Sequence, residues 1–597
     1  MKNPDTSRPD SGPTAHGTPW MPPALALVAI LLYGRTLGFE FTNWDDQSYI
    51  LSNPYLHSFS VDNIKALLTP GSVRGELLYI PVTYLTHFAE SLTLGLHPWV
   101  LHGTNTVLHA VNGVLVFFVV QGWSRCRVTA FLVALAFIVH PLQTESVAWA
   151  MGRKELLSTA FALATLLLYR RARNHEDRRC YLLAVVTFAL GTLAKPTIIV
   201  LPLLLLLEML REPRRGARPH LLWLIPLAII AIAVYWLNSL VGADGRMSLF
   251  QAVYLPAVLN DWLLRLGLVS APSPLYALDT TLNPNRLVVW QLLPALSLAA
   301  IIALAVRHRW RGLWFGAGFG AIAVIPAMTV VLAVDRQFIT ADRYGYFPLV
   351  GVFFTIIAVR HVLPGKWRGS YTVLLAVALL LCTWRSWQQT AIWRQSEALW
   401  QHVLAGDPGV YQAYNSLGNY YQDNDRLDEA LTAYQQAIEL RPDVARPWLN
   451  QAILLERLGR PAGAAQACRR AIRLQPGAID ARLNLAGLYQ RQKACDQAIA
   501  EFAAVLAIDP RHTGAMYYTG VCWQALGDPQ QALAAFEKLV AADPGNAEAH
   551  FKVGLLLHQG GDLQAAIESY HRALFCDPAH EEARDNLGVA EAARKER

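Results

Sequence analysis

With 597 residues, 54% hydrophobic and only 16% charged, the chain lies well below the roughly 25% charge of ordinary soluble domains. It is too long for one domain, and its composition divides it into an apolar part up to about Trp387 and a polar, alanine-rich remainder. The formal charge of +7 would suit a nucleic-acid binder, but the cations gather in short loops between apolar blocks, which excludes a binding stripe and gives orientation information for a membrane protein. The seven cysteines are scattered with no CxxC pair, so neither a zinc site nor a disulfide framework is signalled.

In chain order, residues 1–20 form a polar tail expected to be cytoplasmic, with no A-x-A cleavage site. Apolar blocks of membrane-spanning character follow near 21–38, 98–121, 127–142, 154–170, 180–194, 196–211, 221–239, 290–306, 313–333, 346–360 and 370–388. The loops holding Arg125/Arg127, Arg170–Arg179, Arg211–Arg218, Arg307–Arg311 and Arg360–Arg368 are basic. Placing them all inside puts the first long loop, 39–97, outside. Residues 251–270 are apolar but contain Asp261 and Arg265; were they to span, two basic loops would flip outward. They are therefore expected to lie at the interface or re-enter, leaving about eleven spans and an outer C-terminal domain. The expected class is all-α: a polytopic domain over 21–390, then a helical solenoid.

The remainder is periodic. Pro408, Pro442, Pro476, Pro510, Pro544 and Pro578 follow one another at intervals of 34 residues. Small residues keep the same step at Gly418, Ala452, Ala486, Gly520, Gly554 and Gly588, and again at Ala430, Ala464, Ala498, Ala532 and Ala566. Tyr434, Cys468, Phe502, Phe536 and Tyr570 keep it too. Small residues admit close helix approach, the larger one fills the gap, and proline ends the unit. The pattern is similar to the tetratricopeptide repeat. Five repeats are expected over 410–578, a capping helix over 579–597, and a connecting half-repeat over 391–409 containing Trp400 and Val403. Such an array binds extended peptide or a partner helix.

Chemistry is sought in the outer layer. Asp45 and Asp46 directly follow the first span, where a carboxylate can take the proton of an attacking hydroxyl; the alternative is a helix cap with a solvated acidic pair. A phosphate leaving group needs cations. Arg153, Lys195, Arg336 and Arg343 all fall on the same side in the topology, and each taken singly has a structural alternative. His140, Glu145 and Asp342 are possible supporting groups of that layer. A divalent metal is chemically possible, but no spacing signals one. His102, Asn105, His109 and Asn112 follow the spacing of one helix face and point to interhelical hydrogen bonds.

Together, the acidic pair, His140-Pro141-Leu142-Gln143-Thr144-Glu145 with Gly152-Arg153-Lys154-Glu155, Leu193-Ala194-Lys195-Pro196, Ala341-Asp342-Arg343-Tyr344 and the trailing repeats resemble the transmembrane and tetratricopeptide repeat-containing proteins. The resemblance implies the GT-C glycosyltransferase fold and a polyprenyl-phosphate sugar donor, with no further cofactor. It also implies Ser/Thr hydroxyl acceptors, with the repeats holding the acceptor protein. The active site would then face the periplasm of a bacterial inner membrane, or the endoplasmic reticulum lumen in a eukaryote. Asp45 and Asp46 match the family's first-loop acid, with Asp45 the expected base. Ile80 stands before Pro81 where many relatives carry arginine, so one first-loop cation is missing. Two alternatives remain: a non-enzymatic membrane scaffold for envelope proteins, and a GT-C enzyme acting on a lipid or glycan.

Overall fold

The computed structural model describes residues 19–73, 78–212, 218–241, 276–277, 310–334 and 338–596, with short pieces between 296 and 308. Two expectations, the interfacial segment 251–270 and most of the span near 290–306, lie outside the described residues, as does Arg336. The chain forms two compact units, Met1–Gly409 and Val410–Arg597.

Among the described residues, the first unit is built of helices apart from a short antiparallel pairing of Tyr276–Ala277 with Phe338–Thr340. Its long element, Pro98–Ser124, opens on proline at its first position and stops at Arg125, whose left-handed backbone (φ 55°) ends the helix. Around it pack Met21–Tyr33, Arg127–Val139 and Arg153–His175. The core joins Leu25, Phe117, Phe137, Leu163, Leu204, Phe319 and Phe353.

Surface chemistry is inverted relative to a water-soluble protein. Gly365–Thr390 exposes Val373, Leu374, Leu380 and Leu381, while Leu224–Ser239 exposes Ile225, Ile229, Ile232 and Trp236. Such contiguous apolar faces belong against lipid. Among the described residues, four helices are long and apolar enough to cross a membrane: Met21–Gly38, Pro98–Ser124, His220–Ser239 and Gly365–Arg394. A fifth crossing arises if Arg127–Val139 and Pro141–Ala148, bent by 59°, count as one.

Among the other expected spans, Arg153–His175 and Arg311–Val334 reach 23 and 24 residues, whereas Leu201–Arg211 and Leu349–Val362, at 11 and 14, are shorter than a full crossing. Leu201–Arg211 is preceded by a 3-10 turn at Pro196–Val200, because proline cannot donate into the helix before it. Close packing compensates elsewhere. A side chain at Gly351 would come within 2.7 Å of the Gly316 carbonyl and the Gly320 amide, so Arg311–Val334 and Leu349–Val362 cross backbone to backbone.

The second unit is five helix pairs, from Tyr411–Asp423 with Leu427–Leu440 to Ala547–Gln559 with Leu563–Cys576, then Glu581–Glu596. A side chain at Gly418 would meet the Tyr434 ring at 2.4 Å, and one at Gly520 would meet Phe536 at 2.7 Å. At Gly588 nothing among the described residues lies within 4 Å. A second period was not read from the sequence. Asp425, Gly459, Lys493, Gly527 and Gly561, also 34 apart, all take positive φ between the paired helices. Asp425 and Lys493 carry there a conformation better suited to glycine.

Candidate functional site

The loop after the first helix folds back onto two other segments. Trp44 stacks on Trp149 (5.0 Å between ring centres, 19°), lies nearly parallel to Trp393 at 6.4 Å and meets Trp400 edge-on at 5.7 Å. The Trp400 indole donates to the Asn43 side chain at 2.7 Å, and the Asn43 amide donates to Ser396 Oγ at 2.9 Å. This indole stack anchors Asp45 and Asp46.

The two acids have different surroundings. Asp46 is fully buried. Its Oδ2 accepts from the Thr42 amide and hydroxyl, both at 3.0 Å, and its Oδ1 accepts from the Met151 amide at 3.2 Å. Burial, with a smaller contribution from the Asp45 charge, pushes its carboxyl up to about 7 against the opposing pull of those donors. Asp45 keeps 30% of its side chain exposed, and its Oδ2 lies 3.5 Å from Lys154 Nζ. Of the pair, Asp45 is the acid a substrate can reach.

The cations also separate. Arg343 pairs with Glu145 through its guanidinium and through its backbone amide at 2.8 Å. The same guanidinium lies over Trp44 (5.0 Å), Trp149 (5.4 Å) and Tyr344 (5.1 Å). Lys195 pairs with Glu155 and lies 5.1 Å from the centre of the Tyr344 ring. Both line a narrow cleft with Ser158, Thr159, Thr197 and Tyr344.

Arg153 points elsewhere. It donates to Asn105 at 2.6 Å, Glu90 at 2.9 Å and the Leu101 carbonyl at 3.1 Å, and is fully buried. Burial pushes the Glu90 carboxyl up, but His87, Arg153 and Thr104 together hold it at about 2. Arg153 is thus a clamp between helices, and its neighbour Lys154 carries the charge that faces Asp45.

His140 is buried and accepts from the Leu142 amide at 3.3 Å, shaping the turn that presents Glu145. Asp342 is buried in the first turn of Asp342–Gly345. The polar face of Pro98–Ser124 acts between helices. Asn105 donates to the Trp149 carbonyl, His109 bonds Tyr346 at 2.6 Å, and Asn112 donates to the Leu156 carbonyl. Among the described residues, no three His, Cys, Asp or Glu side chains converge as a metal site would require. The sequence reading missed Lys154, Glu155 and the Trp44–Trp149–Trp393–Trp400 cluster; the indoles are dispersed over some 350 positions and share no motif.

Comparison with known proteins agrees with this architecture. Two family profiles described as tetratricopeptide repeat match residues 415–479 and 524–581, and residues 455–518. Protein O-mannosyl-transferase F38B6.6 of Caenorhabditis elegans is 25% identical over 70% of this chain and 62% of its own length. Protein O-mannosyl-transferase TMTC3 of Mus musculus is 26% identical over 71% of this chain and 51% of its own. TMTC1 of Homo sapiens is 25% identical over 70% and 55%. The chain spans between half and two-thirds of the length of these curated relatives. The solved structure of YrrB, titled as a TPR protein with an unusual peptide-binding site, aligns over 31% of this chain and 96% of its own, with 19% identity and a TM-score of 0.29.

Proposed function

We propose that this homologue of the protein O-mannosyl-transferases is a membrane glycosyltransferase that moves a sugar, mannose or another hexose, from a polyprenyl phosphate to a protein Ser/Thr hydroxyl. The observation that carries the reading is Asp45: a partly exposed carboxylate on a tryptophan-anchored loop, 3.5 Å from Lys154 and within the field of Arg343, which with Lys195 and Glu155 lines a narrow cleft. The acceptor oxygen attacks the anomeric carbon while the bond from that carbon to the phosphate oxygen breaks. Asp45 takes the hydroxyl proton, and the configuration inverts. Arg343, Lys195 and Lys154 offset the charge growing on the departing phosphate. Tyr344, which lines the cleft, offers a flat face against which a sugar ring can pack. Asp46 positions the loop through Thr42 and Met151 and does not meet substrate.

The repeats would hold the acceptor. A surface pocket of the first repeat is lined by Tyr414, Tyr421, Thr432 and Gln436, groups suited to an extended peptide. The distribution of basic loops favours a sugar-transferring end on the non-cytoplasmic face. No cofactor beyond the lipid-linked donor is required.

The test uses the full chain in nanodiscs with polyprenyl-phosphate mannose and a Ser/Thr-rich peptide. Asp45→Asn is expected to lower transfer by about 10²–10⁴-fold with unchanged thermal stability. Wild-type turnover in that variant would remove the base assignment.

A further inference from the structure

The helix Pro98–Ser124 has two functional ends. Its beginning, through Asn105, supports the Asp45 cluster. Its end, Ser124, opens onto a second pocket formed where other helices also terminate. Asn105 and Ser124 are 19 residues apart (124 − 105), or about 28 Å of helix, which is close to the thickness of a bilayer's hydrocarbon core. The second pocket therefore lies at the depth of the opposite headgroup layer.

Its lining joins cations and hydroxyls to an apolar floor. Arg211, Arg311 and His361 stand with Ser124 and Thr129 above Leu313, Phe354 and Ala358. Among the described residues that line it, none is acidic. Two acids lie nearby: Glu208 accepts from Arg170 at 2.8 Å and from Trp123 at 3.3 Å, and Glu212 lies 3.9 Å from Arg125; the charges of both also act on Arg211. Arg211 is held against Phe315 at 4.8 Å and donates to the Trp123 carbonyl at 2.6 Å, yet its Nε is buried with no acceptor. A buried donor without an acceptor is costly. Arg311 is exposed and makes no ion pair among the described residues. Trp310, at the mouth, is 39% exposed and stacks with His308, the placement of an interfacial aromatic.

We propose that this pocket binds the phosphate of an anionic glycerophospholipid. Arg211 and Arg311 take the phosphate oxygens, His361 and Thr129 the polar head, and the acyl chains leave over the apolar floor of Leu313, Phe354 and Ala358 past Trp310. An anionic lipid is favoured over a free anion because the floor is apolar and the mouth carries the exposed indole of Trp310. The site is separate from the sugar-transfer cluster and does not depend on that chemistry.

Native mass spectrometry of the full chain released from detergent tests it, titrating phosphatidylglycerol against phosphatidylcholine. The wild type is expected to retain one phosphatidylglycerol in preference to phosphatidylcholine. Arg311→Gln, on an exposed side chain, should weaken that retention several-fold, and Arg211→Gln with Arg311→Gln by about tenfold or more. Arg211→Lys provides a variant that keeps the charge and is expected to retain partial binding. Equal retention of the two lipids by the wild type, or undiminished phosphatidylglycerol retention by Arg311→Gln, would overturn the proposal. Saturable binding of inorganic phosphate that displaces the lipid at millimolar concentration would reassign the pocket to a free anion.

Discussion

Ion pairs in the membrane unit and in the repeat unit obey different rules. Glu155–Lys195 leaves 5% and 2% of its side chains exposed, and Glu145–Arg343 leaves 2% and 14%. In the repeats, Arg426–Glu429 leaves 36% and 53%, and Arg457–Asp425 leaves 46% and 79%. A buried pair gains little over an apolar replacement, but breaking it leaves a charge with no solvent. An exposed pair is screened and contributes little either way. Buried pairs of the first kind surround the cleft, so the membrane unit keeps charge where it costs most, as a site for charged chemistry must.

The sharpest test of that contrast removes one partner of a buried pair. Glu155→Gln should destabilise the membrane unit by about 3–5 kcal/mol, read as a lowered unfolding temperature in detergent. The double variant Glu155→Gln with Lys195→Met should recover most of that loss while remaining poor in sugar transfer. Equal instability of single and double variants would show that the pair is not the unit of stability.

Asp46 sharpens the comparison through pH. Its carboxyl is raised from 3.8 to about 7, chiefly by burial. Between those values the folded chain holds a proton that the unfolded chain has released. Stability is therefore full below about 4, falls as pH rises toward 7, and levels above it. Thermal unfolding in detergent should show that slope in the wild type and lose it in Asp46→Asn. A slope surviving the substitution would assign it to another group.

How far these features were legible in the sequence follows from their range. The 34-residue period and the apolar blocks are local, and the helices begin and end close to where the blocks do. Lengths were less legible: a short helix such as Arg127–Val139 crosses only if its bent continuation is counted with it. Orientation about a helix axis was hidden as well. Arg153 and Lys154 are adjacent, yet one step turns the side chain by about 100°, sending the first to Glu90 and Asn105 and the second to Asp45. Nothing in Gly152-Arg153-Lys154-Glu155 distinguishes the two without the partner helices. The face of His102, Asn105, His109 and Asn112 could be read because its own spacing defines it.

Glycines of the repeats give a smaller effect with opposite signs at two equivalent positions. Gly520→Ala places a methyl 2.7 Å from the Phe536 ring, an overpacking expected to cost about 1–3 kcal/mol. Hydrogen exchange should report it as faster exchange across Thr513–Ala525 and Pro529–Ala542.

Gly588→Ala occupies the corresponding place in the last helix, where nothing lies within 4 Å. There the methyl meets no aromatic, and replacing a helical glycine is expected to stabilise by up to about 1 kcal/mol, slowing exchange in Glu581–Glu596. The sign change follows from local packing: Gly418, Gly520 and Gly554 each sit against the aromatic sixteen positions on, whereas no described residue lies within 4 Å of where a side chain at Gly588 would be. If Gly588→Ala also accelerated exchange, that last helix would be packed against something beyond its own repeat.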